Sequence, residues 1–169
     1  RKELKSIKKI AFYVFNYTIF NHYKPIIEIN TNIFEILVPS NIEQELILKI
    51  RNDLKDKDIR IRSTSELLQN KLYYEKLITN TAWSTTEISY ENENKRIRIN
   101  VPIVKLFGEK NIRFMYSAGK IKWNLSYWNK YYDGILCYGP YHENRFKIKH
   151  EIPSSQMGYP RYDKYFKPG

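Results

Sequence analysis

Ile10-Ala11-Phe12-Tyr13-Val14-Phe15 decides the fold. Six consecutive apolar residues, bounded by Lys8-Lys9 and by Asn16, show neither the alternation of a half-exposed strand nor the length of a helix. They read as a strand buried on both faces, and such strands belong to parallel sheets covered by helices. The neighbouring sequence repeats the theme. Phe34-Glu35-Ile36-Leu37-Val38 is a second strand, ended by Pro39. Ser40 or Asn41 caps an amphipathic helix whose stripe is Ile42, Leu46, Ile50 and Leu54. Ile59–Arg62 is a short third strand, Ser65-Glu66-Leu67-Leu68 opens a helical turn, and Lys76–Thr79 is a fourth strand running into Asn80-Thr81-Ala82-Trp83.

Between the first two strands, a loop carrying Asn16 and Asn21 leads to a helix that begins near His22, with Pro25 in its first turn. Downstream, Glu91–Arg98 is a charged surface excursion and Ile99–Phe107 a helix with Val101, Val104 and Phe107 inward. Asn111–Tyr116 is a fifth strand, Ser117–Lys120 a turn, Trp123–Tyr131 a helix, and Gly134–Tyr138 a sixth strand closed by Gly139-Pro140. Tyr141–Lys147 forms a short helix. Strands alternating with helices at this spacing predict an α/β, Rossmann-like three-layer domain with a mostly parallel sheet.

At 169 residues the chain suits one domain. Its hydrophobic share of 42% excludes intrinsic disorder. A single cysteine, Cys137, excludes a disulfide framework and fits a reducing compartment. Three histidines and that cysteine lie far apart in sequence, so no metal site or cofactor is expected. The longest apolar run is far too short to cross a bilayer, and no signal-peptide pattern is present, so a soluble intracellular protein is expected. The chain opens on Arg1 and reads as part of a longer protein. A net charge of +11 favours polyanionic partners: nucleic acid, an anionic membrane face or phosphorylated compounds. The basic residues are dispersed and no nucleic-acid-reading motif is visible, so nucleic acid is the least favoured of these.

An open parallel sheet binds ligands beyond the carboxyl ends of its strands. That points to Asn16–His22, Asn80–Ser84, Ser117–Lys120 and Gly139–Arg145. Ser117-Ala118-Gly119-Lys120 pairs a glycine, whose backbone N–H can face a phosphate, with a lysine that adds charge. It lacks both the Walker spacing and the Gly-x-Gly-x-x-Gly fingerprint, and an ordinary turn with a solvated lysine fits it too. Tyr138-Gly139-Pro140-Tyr141-His142-Glu143 starts a helix that brings His142 to the sheet's carboxyl edge, where a base or anion contact is useful; a locally packed histidine is the alternative. His22, after the first strand, carries the same two readings. Gly-x-Ser-x-Gly does not occur, which excludes a nucleophile elbow.

Tyr132-Asp133-Gly134-Ile135-Leu136-Cys137-Tyr138-Gly139-Pro140-Tyr141-His142, followed by Met157-Gly158-Tyr159-Pro160-Arg161-Tyr162-Asp163, resembles the CDP-glycerol glycerophosphotransferase family, the GT-B enzymes that build teichoic-acid-like polymers. The resemblance is strongest over residues 111–166; earlier it rests on the order of strands and helices. It implies that residues 1–155 form the N-terminal, acceptor-side lobe and that 156–169 begin the linker to a nucleotide-binding lobe outside this chain. It further implies a CDP-alcohol donor held mainly by that second lobe, a lipid-linked polyanionic acceptor, and work at the inner face of the cell membrane. In such enzymes an acceptor hydroxyl attacks the donor's β-phosphate and CMP leaves. The family carries a His-Gly pair after the strand matching Asn111–Tyr116, with the histidine as base, where this chain has Tyr116-Ser117. That leaves His22 and His142 as the candidate catalytic bases, with Tyr116, Ser117, Gly119, Lys120, Gly139 and Arg145 as candidate phosphate and acceptor contacts. Two alternatives stay open: another GT-B enzyme, sugar-transferring or similar to UDP-N-acetylglucosamine 2-epimerase, and a non-catalytic module that binds an anionic polymer.

Overall fold

The computed structural model describes residues 3–42, 44–81, 83–90, 95–114, 130–137 and 154–156. Among them run β1 (Lys5–Tyr13), α1 (Tyr17–Ile27), β2 (Phe34–Val38), α2 (Gln44–Asp53), β3 (Ile61–Ser63), α3 (Thr64–Asn70), β4 (Leu72–Thr79), β5 (Trp83–Tyr90), β6 (Lys95–Pro102), β7 (Gly108–Phe114), β8 (Gly134–Cys137) and β9 (Ser154–Gln156). Seven strands make one sheet in the order β3-β2-β1-β4-β7-β8-β9. Every neighbouring pair in it is parallel. The chain lays strands from β1 toward β3, then returns to the other side of β1 with β4 and continues to β9, which is doubly wound order. β5 and β6 form a separate antiparallel hairpin within the β4–β7 connection.

The apolar run in β1 is continuous because both of its faces are covered. Phe12 and Val14 pack with Ile19, Phe20 and Tyr23 of α1 and with Ile50 of α2. Ala11 and Tyr13 pack with Leu67 of α3 and with Ile103 and Phe107. Helices on one face, the sheet, and α3 with the 103–107 turn on the other make the three layers of a Rossmann-like α/β fold. Each fully buried Phe or Ile contributes about 1.5–3 kcal/mol, so these two layers dominate the fold's stability.

Two expected elements differ, and strands β5 and β9 were not expected. α1 starts at Tyr17, five residues before the expected start near His22, because Asn16 is extended and its side chain caps the helix by accepting from Ile19 N–H at 2.8 Å. Pro25 therefore sits near the helix's end, where the missing N–H interrupts little more than a turn. The helix expected over 99–107 is instead strand β6 as far as Pro102. Arg96-Ile97-Arg98-Ile99-Asn100-Val101 alternates with period two, and that pattern prevails over the sparser Val101, Val104, Phe107 spacing. A single hydrogen-bonded turn follows, with Phe107 N–H donating to Ile103 O at 3.1 Å and Lys105 inside it at φ 67°. β9, absent from the sequence expectation, adds a seventh strand whose Gln156 pairs with Cys137. The helices expected at Trp123–Tyr131 and Tyr141–Lys147 fall almost wholly outside the described residues.

Candidate functional site at the carboxyl rim of the sheet

β1 and β4 lie side by side, Phe12 level with Ile78, and their continuations diverge. β1 leads through α1 toward β2, whereas β4 leads to the hairpin and β7. In doubly wound sheets such a divergence leaves a crevice at the two carboxyl ends, the place where they hold ligands.

The β1 side of this mouth is Val14, Phe15, Asn16 and the first turn of α1. Phe15 is 38% exposed, and Asn16 and Thr18 are exposed. Asn16 meets two of the helix's first N–H groups, Ile19 through its side chain and Phe20 through its carbonyl oxygen at 3.1 Å. Tyr17 donates its hydroxyl to the Asp53 carboxylate of α2, which, with burial, raises the phenol above its usual range. The Lys49 ammonium lies 4.1 Å from the centre of the same ring. The α1 N-terminus is thereby tied to α2.

The β4 side is Thr79, Asn80 and Thr81. Thr81 N–H donates to Thr79 Oγ1 at 3.1 Å, and the Thr79 hydroxyl donates to the Thr81 carbonyl at 2.8 Å. This local bend fixes the strand's exit. Asn80 is buried, and its Oδ1 has no hydrogen-bond partner. Further along the rim, Ser40 N–H donates to Thr64 Oγ1 at 3.0 Å and joins the ends of β2 and β3.

Of the residues expected to act, His22 is described. It is the sixth residue of α1 and buried, about 8 Å along the helix from its N-terminal end at 1.5 Å per residue. Tyr116, Ser117, Gly119 and Lys120, which follow β7, and Gly139, His142 and Arg145, which follow β8, lie outside the described residues. The strands that precede them in sequence are parallel neighbours, with Phe114 level with Leu136.

The structure adds residues that composition and motif searching passed over. Arg113, on β7 beside Thr79, is fully buried, and burial pushes its guanidinium below the usual value while Tyr132 and Tyr23 act in the opposite sense. On the α3 face, Arg62 Nε donates to Glu35 Oε1 at 2.9 Å and Arg62 Nη1 to Glu66 Oε1 at 3.2 Å. Burial works against the Arg62 charge, but Glu35 outweighs it and the guanidinium is held above its usual value. The Tyr74 hydroxyl near this group is buried without a partner, and burial raises the phenol well above its ordinary value. Asn80 stands at the β1–β4 mouth; the sequence placed it in the Asn80–Ser84 rim loop but gave it no role of its own.

Among the described residues, no group of three His, Cys, Asp or Glu could hold a metal ion. Nor is any helix among them long and apolar enough to cross a membrane. Chemically, the mouth offers hydrogen bonds and a helix N-terminus. Comparison with protein-family models, with curated proteins and with solved structures found no match.

Proposed function

We propose that this chain is the acceptor-side lobe of a two-lobe transferase, which moves a polyol phosphate from a CDP-alcohol to a lipid-linked polyanionic polymer at the inner face of the cell membrane. The observation that carries the reading is the reversal of strand order between β1 and β4 in an all-parallel sheet. Such a crevice supplies one wall of a site. Phosphoryl transfer needs a hydroxyl, a base and the phosphate held in line and shielded from water, which a second lobe closing over this wall would provide. A net charge of +11 suits both the polyanionic acceptor and the anionic membrane.

On this reading His142 is the favoured base, because His22 is buried within α1. Tyr116, Ser117, Gly119, Lys120, Gly139 and Arg145 hold the phosphates. The whole protein, incubated with CDP-glycerol and a lipid-linked acceptor, releases CMP, and His142→Ala slows that release at least about 100-fold. Absence of CMP release from every CDP-alcohol offered refutes the reading; an unchanged rate in the variant refutes the base. A non-catalytic polymer-binding module is the second reading, favoured by Tyr116-Ser117 where the resembled family has His-Gly. It is distinguished by tight polymer binding without CMP release.

A further inference from the structure

Lys76 and Lys110 stand on β4 and β7, inner strands of an all-parallel sheet, and both are exposed. Inner strands of a parallel sheet are ordinarily buried on both faces, as β1 is. The two lysines are level with each other, so their Cα atoms lie about 4.8 Å apart, the spacing of neighbouring strands. Like charges directly opposite one another destabilise a sheet. Neither lysine forms an ion pair among the described residues. The stability of the chain alone therefore gives no reason for this pair.

Alternation along the strands puts Lys76 on the face of Ile78 and Lys110 on the face of Ile112. That is the α1–α2 face, because Ile78 and Ile112 pack in one layer with Phe12 and Phe114. α1 reaches as far as Phe114, where Tyr23 meets its ring edge-on at 5.0 Å between centroids. Ile112 on β7 and Leu136 on β8 are only half-buried, although they too lie on inner strands. Half-buried apolar side chains next to two exposed cations make an incomplete layer, and a parallel sheet completes such a face with a helix. Ile112 and Leu136 ask for the helix's apolar stripe, and a carboxylate beside that stripe would lie between the two ammonium groups. The remaining stretches of this chain suit that role poorly: 115–129, 138–153 and 157–169 each hold more basic than acidic residues. A second copy, at +11, would meet the lysines with like charge. We propose that the β4–β7–β8 face docks an acidic amphipathic helix of a separate protein, with its apolar stripe on Ile112 and Leu136 and a Glu or Asp between Lys76 and Lys110. This surface is on the face of the sheet and not at its carboxyl rim, so it is independent of the transfer reading.

Fluorescence anisotropy of the full chain with a labelled peptide of about 20 residues, Leu and Ala on one helical face and Glu on the flanks, tests it. The peptide is expected to bind, and one of the same composition in scrambled order to bind at least about tenfold more weakly. Lys76→Gln and Lys110→Gln each weaken binding about two- to fivefold, the worth of an exposed ion pair, without lowering Tm. Lys76→Glu combined with Lys110→Glu abolishes binding of the Glu peptide and confers binding of a peptide with Lys in place of Glu. Lys55→Gln combined with Lys57→Gln removes two exposed charges elsewhere and leaves the affinity unchanged. No binding of the Glu peptide, equal binding of the scrambled one, or an equal loss in the Lys55 and Lys57 variant overturns the proposal. Binding unaltered by the charge reversal overturns it as well. So does binding of phosphatidylglycerol vesicles that depends on Lys76 and Lys110 where the peptide fails, which makes the face a membrane contact.

Discussion

Replacing Arg62 by Met tests the electrostatic joint that holds β2, β3 and α3 together beneath the rim. The Arg62 and Glu35 side chains are 13% and 6% exposed, with Nε 2.9 Å from Oε1. Arg62→Met leaves the Glu35 carboxylate buried opposite the already unmet Tyr74 hydroxyl, a loss of about 3–5 kcal/mol. For a chain of this size each kcal/mol lowers Tm by about 2–4 °C, so a fall on the order of 6–20 °C is expected. Glu35→Leu costs less, about 1–3 kcal/mol, because Arg62 keeps Glu66 at 3.2 Å. The double variant returns to within about 1 kcal/mol of wild type, since two apolar side chains replace a pair whose attraction was offset by desolvation. Glu66 retains Arg60 at 3.4 Å, a surface contact worth at most about 1 kcal/mol. Urea unfolding at neutral pH reads all three variants, with an unchanged m-value as the check on two-state behaviour. The reasoning fails if Arg62→Met costs less than Glu35→Leu, or if the double variant is as unstable as Arg62→Met alone.

Burial holds the Tyr74 and Tyr132 phenols protonated in the folded chain above pH 10, where the unfolded chain releases those protons. Their contribution is fully present below pH 10 and drains away above it, by about 1.4 kcal/mol per pH unit for each tyrosine. Tyr74→Phe should remove one proton's worth of that slope and raise neutral-pH stability by up to about 1 kcal/mol; urea midpoints from pH 8 upward measure both, and an unchanged slope would contradict it. Gly108→Ala puts a Cβ 2.6 Å from Leu77 Cβ and 2.7 Å from Asn111 Oδ1, and should cost at least about 1–3 kcal/mol in thermal unfolding. Asn111→Ala removes the acceptor of Lys105 N–H at 3.1 Å and a donor to Gly108 O at 3.0 Å. A loss of about 2–3 kcal/mol is expected, and amide exchange should quicken across residues 103–108.

The β1 run announced the sheet because a strand buried on both faces needs apolar side chains at every position, and no other short element does. β2 and α2 were legible for related reasons: Pro39 stops one, and Leu46 and Ile50 stripe the other. Where reading failed, a local signal outweighed a better one nearby. Pro25 suggested a helix start, yet Asn16 supplies the cap and Pro25 falls in the last turns. Between Lys95 and Phe107 two periods overlap, and alternation won because a hairpin pairs eight residues in register where a helix would have had to carry Pro102 inside it. The strand order itself was not readable. It depends on whether β4 returns beside β1 or extends the row at β3, and no residue of α3 encodes that choice on its own.

The site was legible at the level of place and not of side chain. Knowing the sheet to be parallel directs attention to the carboxyl ends, but which polar residue there is buried without a partner depends on what packs around it. Asn80 and Asn16 look alike in sequence; one is a helix cap with its hydrogen bond made, and the other is an amide with its oxygen unmet. The same geometry constrains mechanism. Neither Val14-Phe15-Asn16-Tyr17-Thr18 nor Thr79-Asn80-Thr81 contains a group that exchanges a proton near neutral pH, so these two stretches supply no base for deprotonating a hydroxyl. On the transferase reading the base comes from elsewhere, and His142 is the histidine that follows β8 most closely in sequence. A binding module needs none. CMP release lost in His142→Ala with polymer binding intact separates the two, because recognition and proton transfer then rest on different residues.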